Sequence, residues 1–280
     1  MTSSHERFKS KIDKLRCVSY LAPNMFWFYK AVAAYLSRVL GVETHIVQSR
    51  YDPLSDPVML QDQLDVAFIC GLPFVELSQV NSSQLKVLVA PVMQASRYQD
   101  RPVYFSDIIV NAESNINFFD DLAGKTLCYN DPGSNSGYNL VRQRLMQSKH
   151  LSSFFGKVIP SGSHQRSIKL VVEQLADCSA IDSTVLEQEL RDLPELANHL
   201  RVIESSGPCP MPPVVAAQHL GSAFINSLQS ALCQPDQELQ SAMKQAQIQR
   251  YVGVRFADYT AIGMMYDAAF RAGYQIIGFE

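Results

Sequence analysis

Strand-length apolar runs alternate with helix-length amphipathic segments along most of this 280-residue chain, and that alternation restricts the fold more than any other feature. Residues 15–21 read as a strand, 26–40 as an amphipathic helix closed by Gly41, and 42–47 as a second strand. A short helix at 58–64, a buried strand at 64–69, a helix at 74–80 and a strand at 85–92 complete one cycle. A second cycle opens with a strand at 104–110, a helical turn at 117–124, a strand at 125–129 and a helix at 137–149. It continues with a strand at 157–159, a helix at 164–175, a strand at 177–181, a helix within 183–190 and a strand at 200–204. The Pro-rich run 207–213 leads into 214–217, and the remainder reads as mostly helical to about residue 270. Strand and helix in this order predict α/β units with a largely parallel sheet.

Two cycles predict two α/β lobes with a ligand cleft between them, joined by two extended crossover strands. The expected division is 1–105 for the first part of lobe 1, 106–211 for lobe 2 with an anion-binding loop, and 212–280 for a mostly helical return to lobe 1. With 47% hydrophobic and 18% charged residues the chain can build a core, which excludes disordered and coiled-coil classes. Lys and Arg number 24 against 27 Asp and Glu, a net charge of −3 with no long basic run, so nucleic acid is not an expected partner. No window of about 18 apolar residues predicts a membrane-spanning helix. The six cysteines form no CxxC pair and no Cys/His ligand spacing, so neither a metal site nor a disulfide framework is expected; Cys17, Cys128 and Cys178 read as small buried hydrophobes. Residues 1–16 are polar and charged, without the pattern of a secretion signal.

Three segments carry chemistry. In the first, a Gly-flanked turn holding Ser134, Asn135 and Ser136 separates a buried strand from a helix start. Unpaired first-turn N–H groups, the helix dipole and two hydroxyls there make a compact anion site, although Ser134 or Ser136 equally suits a plain N-cap. It is not a P-loop, because the GxxxxGK[ST] lysine is missing. The second, at 159–168, starts another helix beside a Gly/Ser turn and offers His164 as an anion donor or as a capping residue. In the third, a strand ends at Asp182, followed by Ser183 and Thr184; Asp182 reads as a ligand contact or as a helix N-cap. Ser134 or Ser136, His164 and Asp182 are also the residue types of a hydrolase triad, but no GxSxG elbow accompanies them.

The runs Tyr129 to Tyr138 and Ser161 to Gln165, with Val66-Ala67-Phe68 and 104–110, resemble the phosphonate-binding (PhnD-like) substrate-binding proteins of phosphate, phosphite and phosphonate ABC transporters. The resemblance extends from about residue 14 to about 253. It implies the type II periplasmic-binding-protein fold, no catalysis, no cofactor, and a small oxyanion ligand held at Ser134, Asn135, Ser136 and His164. It also implies two cleft tyrosines at Tyr51, with a one-residue shift in spacing, and Tyr104, and a transporter permease as partner. Departures accompany it. Thr184 stands where aminoalkylphosphonate binders carry a glutamate, with Asp182 two residues earlier, and no carboxylate occupies the region of Pro212. Asn135 replaces a threonine. The resemblance implies a periplasmic location, whereas Met1 as native start implies a cytoplasmic one. The readings that follow are an oxyanion-binding protein, a cytoplasmic enzyme similar to the bilobal menaquinone-biosynthesis enzymes, and a ligand-sensing subunit.

Overall fold

The computed structural model describes residues 12–278, so most of the polar N-terminal start lies outside the described residues. In chain order the strands are β1 (Lys14–Ser19), β2 (Glu43–Gln48), β3 (Val66–Phe68), β4 (Leu85–Met93), β5 (Val103–Asn111), β6 (Thr126–Tyr129), β7 (Lys157–Pro160), β8 (Cys178–Asp182), β9 (Leu200–Pro210), β10 (Val214–Ala217) and β11 (Ile248–Gly253). The helices are α1 (Phe26–Leu40), α2 (Pro57–Leu60), α3 (Gly71–Val80), α4 (Leu140–Gln147), α5 (His164–Val172), α6 (Ser183–Asp192), α7 (Ser222–Cys233), α8 (Gln237–Gln245) and α9 (Thr260–Arg271). Helix α1 stops where the sequence predicts, because Gly41 takes the left-handed conformation (φ 65°) and returns its N–H to the Ser37 carbonyl.

The first sheet runs β11-β4-β10-β3-β1-β2. β1 pairs parallel with β2 and β3, as expected, but β10 enters antiparallel between β3 and β4, and β11 adds an antiparallel edge. The sheet is therefore mixed, and the stretch read as mostly helical also contains strand β11. Six residues with the burial pattern buried-exposed-half-buried-buried-half-buried-exposed give too weak an alternation to announce themselves; pairing with β4 makes the strand.

The second sheet runs β7-β6-β8-β5-β9, with β6, β7 and β8 parallel and β5 antiparallel to both neighbours. Alternation along its strands divides two apolar layers: Ile108 and Val110 join Leu127 and Ala180 on one face, Ile109 joins Cys128 and Ile181 on the other. β9 extends past the predicted 200–204 through Pro208 and Pro210, tolerated because it is the edge strand.

Two crossings join the sheets side by side, Val103 opposite Pro210 and Tyr104 opposite Cys209. A third contact closes the chain. After α9 packs on α3 and reaches α4, the tail lies on the second lobe: Ile277 N donates to the Tyr138 hydroxyl oxygen (2.9 Å), the Tyr274 hydroxyl donates to the His150 carbonyl (2.6 Å), and Gly278 N donates to the Ser152 carbonyl (2.8 Å).

Candidate ligand-binding site

A cavity of about 260 Å³ opens between the two sheets. Its second-lobe wall comes from the loops that follow β6, β7 and β8, at the carboxyl ends of three parallel strands, where an open α/β sheet leaves helix starts facing the cleft. After β6 the chain does not start an α-helix at Gly137 as predicted. Asn135–Asn139 makes a π-helical turn, with Asn139 N on the Ser134 carbonyl (3.0 Å), and α4 follows from Leu140. A Cβ at Gly137 would lie 1.8 Å from Asn130 Oδ1, so any larger residue there forces the Asn130 side chain to move.

The geometry divides the capping residues from the free ones. Ser134 caps the turn, its Oγ accepting from Gly137 N (3.0 Å). Ser163 caps α5 by accepting from Arg166 N (3.2 Å), which releases His164 from that duty. Ser136 Oγ and His164 Nε2 then meet at 3.1 Å in the cavity wall, with Ser134 Oγ 3.5 Å from Ser136 Oγ. Ser106 Oγ fixes the turn from below by donating to the Ser136 carbonyl (2.8 Å). His164 Nδ1 is buried with no hydrogen-bond partner, and burial pushes the imidazole pKa down to about 4, so the ring is neutral at pH 7. Asp182 lines the cavity too, but its Oδ1 accepts from Thr184 N (2.8 Å) and Thr184 Oγ1 (2.7 Å), the N-cap of α6. Burial raises its pKa to about 6. Ser136 and His164 are thus placed like a nucleophile and base, while His164 lacks the carboxylate partner a triad needs and is a weak base.

Of the residues expected at the site, Tyr51, Ser134, Ser136, His164, Asp182 and Thr184 line the cavity. Tyr51 stands 64% exposed at its mouth. Tyr104 and Asn135, also expected there, do not line it: both are buried behind the wall. Asn135 Nδ2 donates to the Tyr104 hydroxyl oxygen (2.7 Å), Asn139 Nδ2 donates to Asn135 Oδ1 (2.9 Å), and Arg142 Nη2 donates to Asn139 Oδ1 (3.0 Å). Asn135 opens the π-helical turn, and its amide is taken up by Tyr104 and Asn139 rather than facing the cavity.

The first-lobe wall was not legible beforehand. Met25, Tyr29, Phe68, Met93, Ile248 and Tyr251 contribute to it, with Tyr29 stacked on Phe68 at 4.5 Å between ring centroids. Burial raises the hydroxyl pKa of Tyr29 well above the usual value. At the mouth, Asp52 and Asp131 approach from opposite lobes around Gly133, and burial raises the Asp131 pKa, with Asp52 adding repulsion.

A family model described as ABC transporter, phosphonate, periplasmic substrate-binding protein matches residues 19–259. The chain belongs to this family. The phosphate-import protein PhnD of Mycolicibacterium smegmatis is 25% identical to this family member over 187 residues, which span 63% of this chain and only 56% of that relative. Two solved structures share the fold. A binding protein component of an ABC phosphonate transporter from Pseudomonas aeruginosa has a TM-score of 0.81 at 17% identity, covering 94% of this chain and 88% of that one. PhnD1 from Prochlorococcus marinus, in complex with methylphosphonate, has a TM-score of 0.80 at 18% identity, covering 94% and 99%. The architecture is that of type II periplasmic binding proteins, as the sequence resemblance implies. Among the described residues no helix is long and apolar enough to cross a membrane.

Proposed function

We propose that this substrate-binding protein captures a small phosphonate, phosphate or phosphite-like oxyanion between its lobes and presents it to an ABC transporter permease. The observation that carries the reading is the Ser136–His164 pair at 3.1 Å, with neighbouring Ser134 in the same cavity wall. Hydroxyls and a neutral imidazole can donate to an anion, and the helix starts add a favourable dipole. Ser134, Ser136, His164 and Thr184 make the polar contacts, Tyr51 joins on closure, and Asn135 and Tyr104 support the turn from behind. On this reading the protein binds without catalysing, which agrees with a buried imidazole whose pKa is lowered to about 4 and whose Nδ1 has no partner, a poor base for Ser136. Lobe boundaries follow at 105 and 211, with hinges near 104–107 and 210–214.

The test is a thermal-shift panel of phosphate, phosphite, methylphosphonate, 2-aminoethylphosphonate, sulfate and sulfonates, followed by calorimetry. A saturable rise in Tm with a phosphorus oxyanion, absent with sulfate, supports the reading by linkage. No shift with any member of the panel refutes it. Small-angle scattering at saturation should show a smaller radius of gyration, and an unchanged profile would remove closure.

A further inference from the structure

The cavity holds more than an anion requires. Its anion-donor candidates lie on the second-lobe wall, at Ser134, Ser136 and His164. The opposite wall, built by β3, β4, β11 and α1, presents Tyr29, Phe68, Met93, Ile248 and Tyr251, while Gln48, Ser49 and the exposed Arg50 line the first-lobe side at the end of β2. Its centre is already ordered: the Tyr29 ring is half-buried and stacks on the buried Phe68, so little side-chain freedom remains to be lost on binding. A cavity of roughly 150 Å³ with apolar walls accommodates benzene. The 260 Å³ here leaves room for a group of that size beside a tetrahedral anion.

We propose that the ligand is an oxyanion bearing an apolar, ring-sized substituent, an aryl or branched-alkyl phosphonate or phosphate monoester, with the substituent seated on Tyr29, Phe68 and Tyr251. The proposal rests on the oxyanion reading and narrows its ligand class. It also fits the absence of an acid near Pro212, since a ring seated on Tyr29, Phe68 and Tyr251 carries no ammonium to pair.

Calorimetry on the full chain with methylphosphonate, phenylphosphonate and 2-aminoethylphosphonate tests it. Phenylphosphonate should bind roughly 10-fold or more tightly than methylphosphonate, through burial of the ring. Tyr29→Ala should shrink that ratio, Tyr29→Phe should keep it, and Ser136→Ala should weaken both ligands with the ratio intact. Methylphosphonate binding as well as or better than phenylphosphonate overturns the proposal and leaves the oxyanion reading standing. Preference for 2-aminoethylphosphonate over both also overturns it, since the wall would then be reading a cation. Binding of none of the three overturns the oxyanion reading and the proposal with it.

Discussion

The second-lobe wall of the cleft is a wired polar surface, in which Ser136 meets His164, Ser106 holds the Ser136 carbonyl, and Asn135 links Tyr104 to Asn139. The first-lobe wall keeps its hydrogen bonds to one side, where Tyr20 and Ser49 donate to Asp56, and is otherwise a packed set of rings and thioethers, with Tyr29 on Phe68 and Phe28 stacked on Tyr251 at 6.5 Å. Directional bonds fix where a charge can sit, whereas packing fixes only the volume and polarity of what lies beside it. On the proposed reading, ligand class and ligand identity fall to opposite lobes, so changes on one wall should be separable from changes on the other.

The largest expected effect concerns charge on the polar wall. Asp182, with its pKa raised to about 6, favours the fold at low pH and loses that contribution as pH rises through 6. His164, lowered to about 4, favours the fold above its ordinary value of 6.5 and loses that contribution as pH falls through 4. The two slopes oppose each other. In Asp182→Asn only the histidine slope remains, so urea stability of the variant relative to wild type should rise by about 2–3 kcal/mol between pH 4 and 6. A constant difference across that range would mean that Asp182 ionises normally.

Next come the anion donors. Ser136→Ala and His164→Ala should each weaken methylphosphonate binding by about 1–3 kcal/mol, the range for hydrogen bonds to charged groups. Unaltered affinity in both variants would move the anion to another part of the cleft. Smaller still is the framework behind the wall: Asn135→Ala leaves the buried Tyr104 hydroxyl without its partner and should lower stability by about 1–2 kcal/mol in a melt. The smallest effect is expected for Tyr104→Phe, with anion affinity changing by less than about threefold, a loss under about 0.7 kcal/mol. A loss as large as that of Ser136→Ala would show that the Tyr104 hydroxyl enters the cleft on closure and that the polar wall is deeper than drawn.

How much of this was legible in the sequence follows the same division. The anion turn and His164 are local: a strand, a short Gly/Ser segment and a helix start lie within a dozen residues, so turn chemistry marks them before any tertiary contact is known. The apolar wall combines Met25, Phe68, Met93 and Tyr251, positions spread over nearly the whole chain, each of which reads in isolation as ordinary core. Only the antiparallel entry of β10 and β11 brings them to one surface, and no periodicity announces that entry. Asn135 and Tyr104 sit behind the wall, an arrangement that turn chemistry does not announce. The segment folds as a π-helical turn rather than the α-helical start read from the sequence, and within it the Asn135 amide donates to Tyr104 and accepts from Asn139.

The docked tail bears on how far the molecule can open. Tyr274 N is still held by the Ala269 carbonyl of α9, which packs on the first lobe, while Ile277 N is held by Tyr138 on the second. The Tyr274 side chain already reaches the second lobe, where its hydroxyl donates to the His150 carbonyl, and the three steps from 274 to 277 span at most about 11 Å even when fully extended. The tail is therefore a strap across the lobe junction: widening the cleft there means giving up the Ile277 and Tyr274 bonds to the second lobe or the α9 packing on the first.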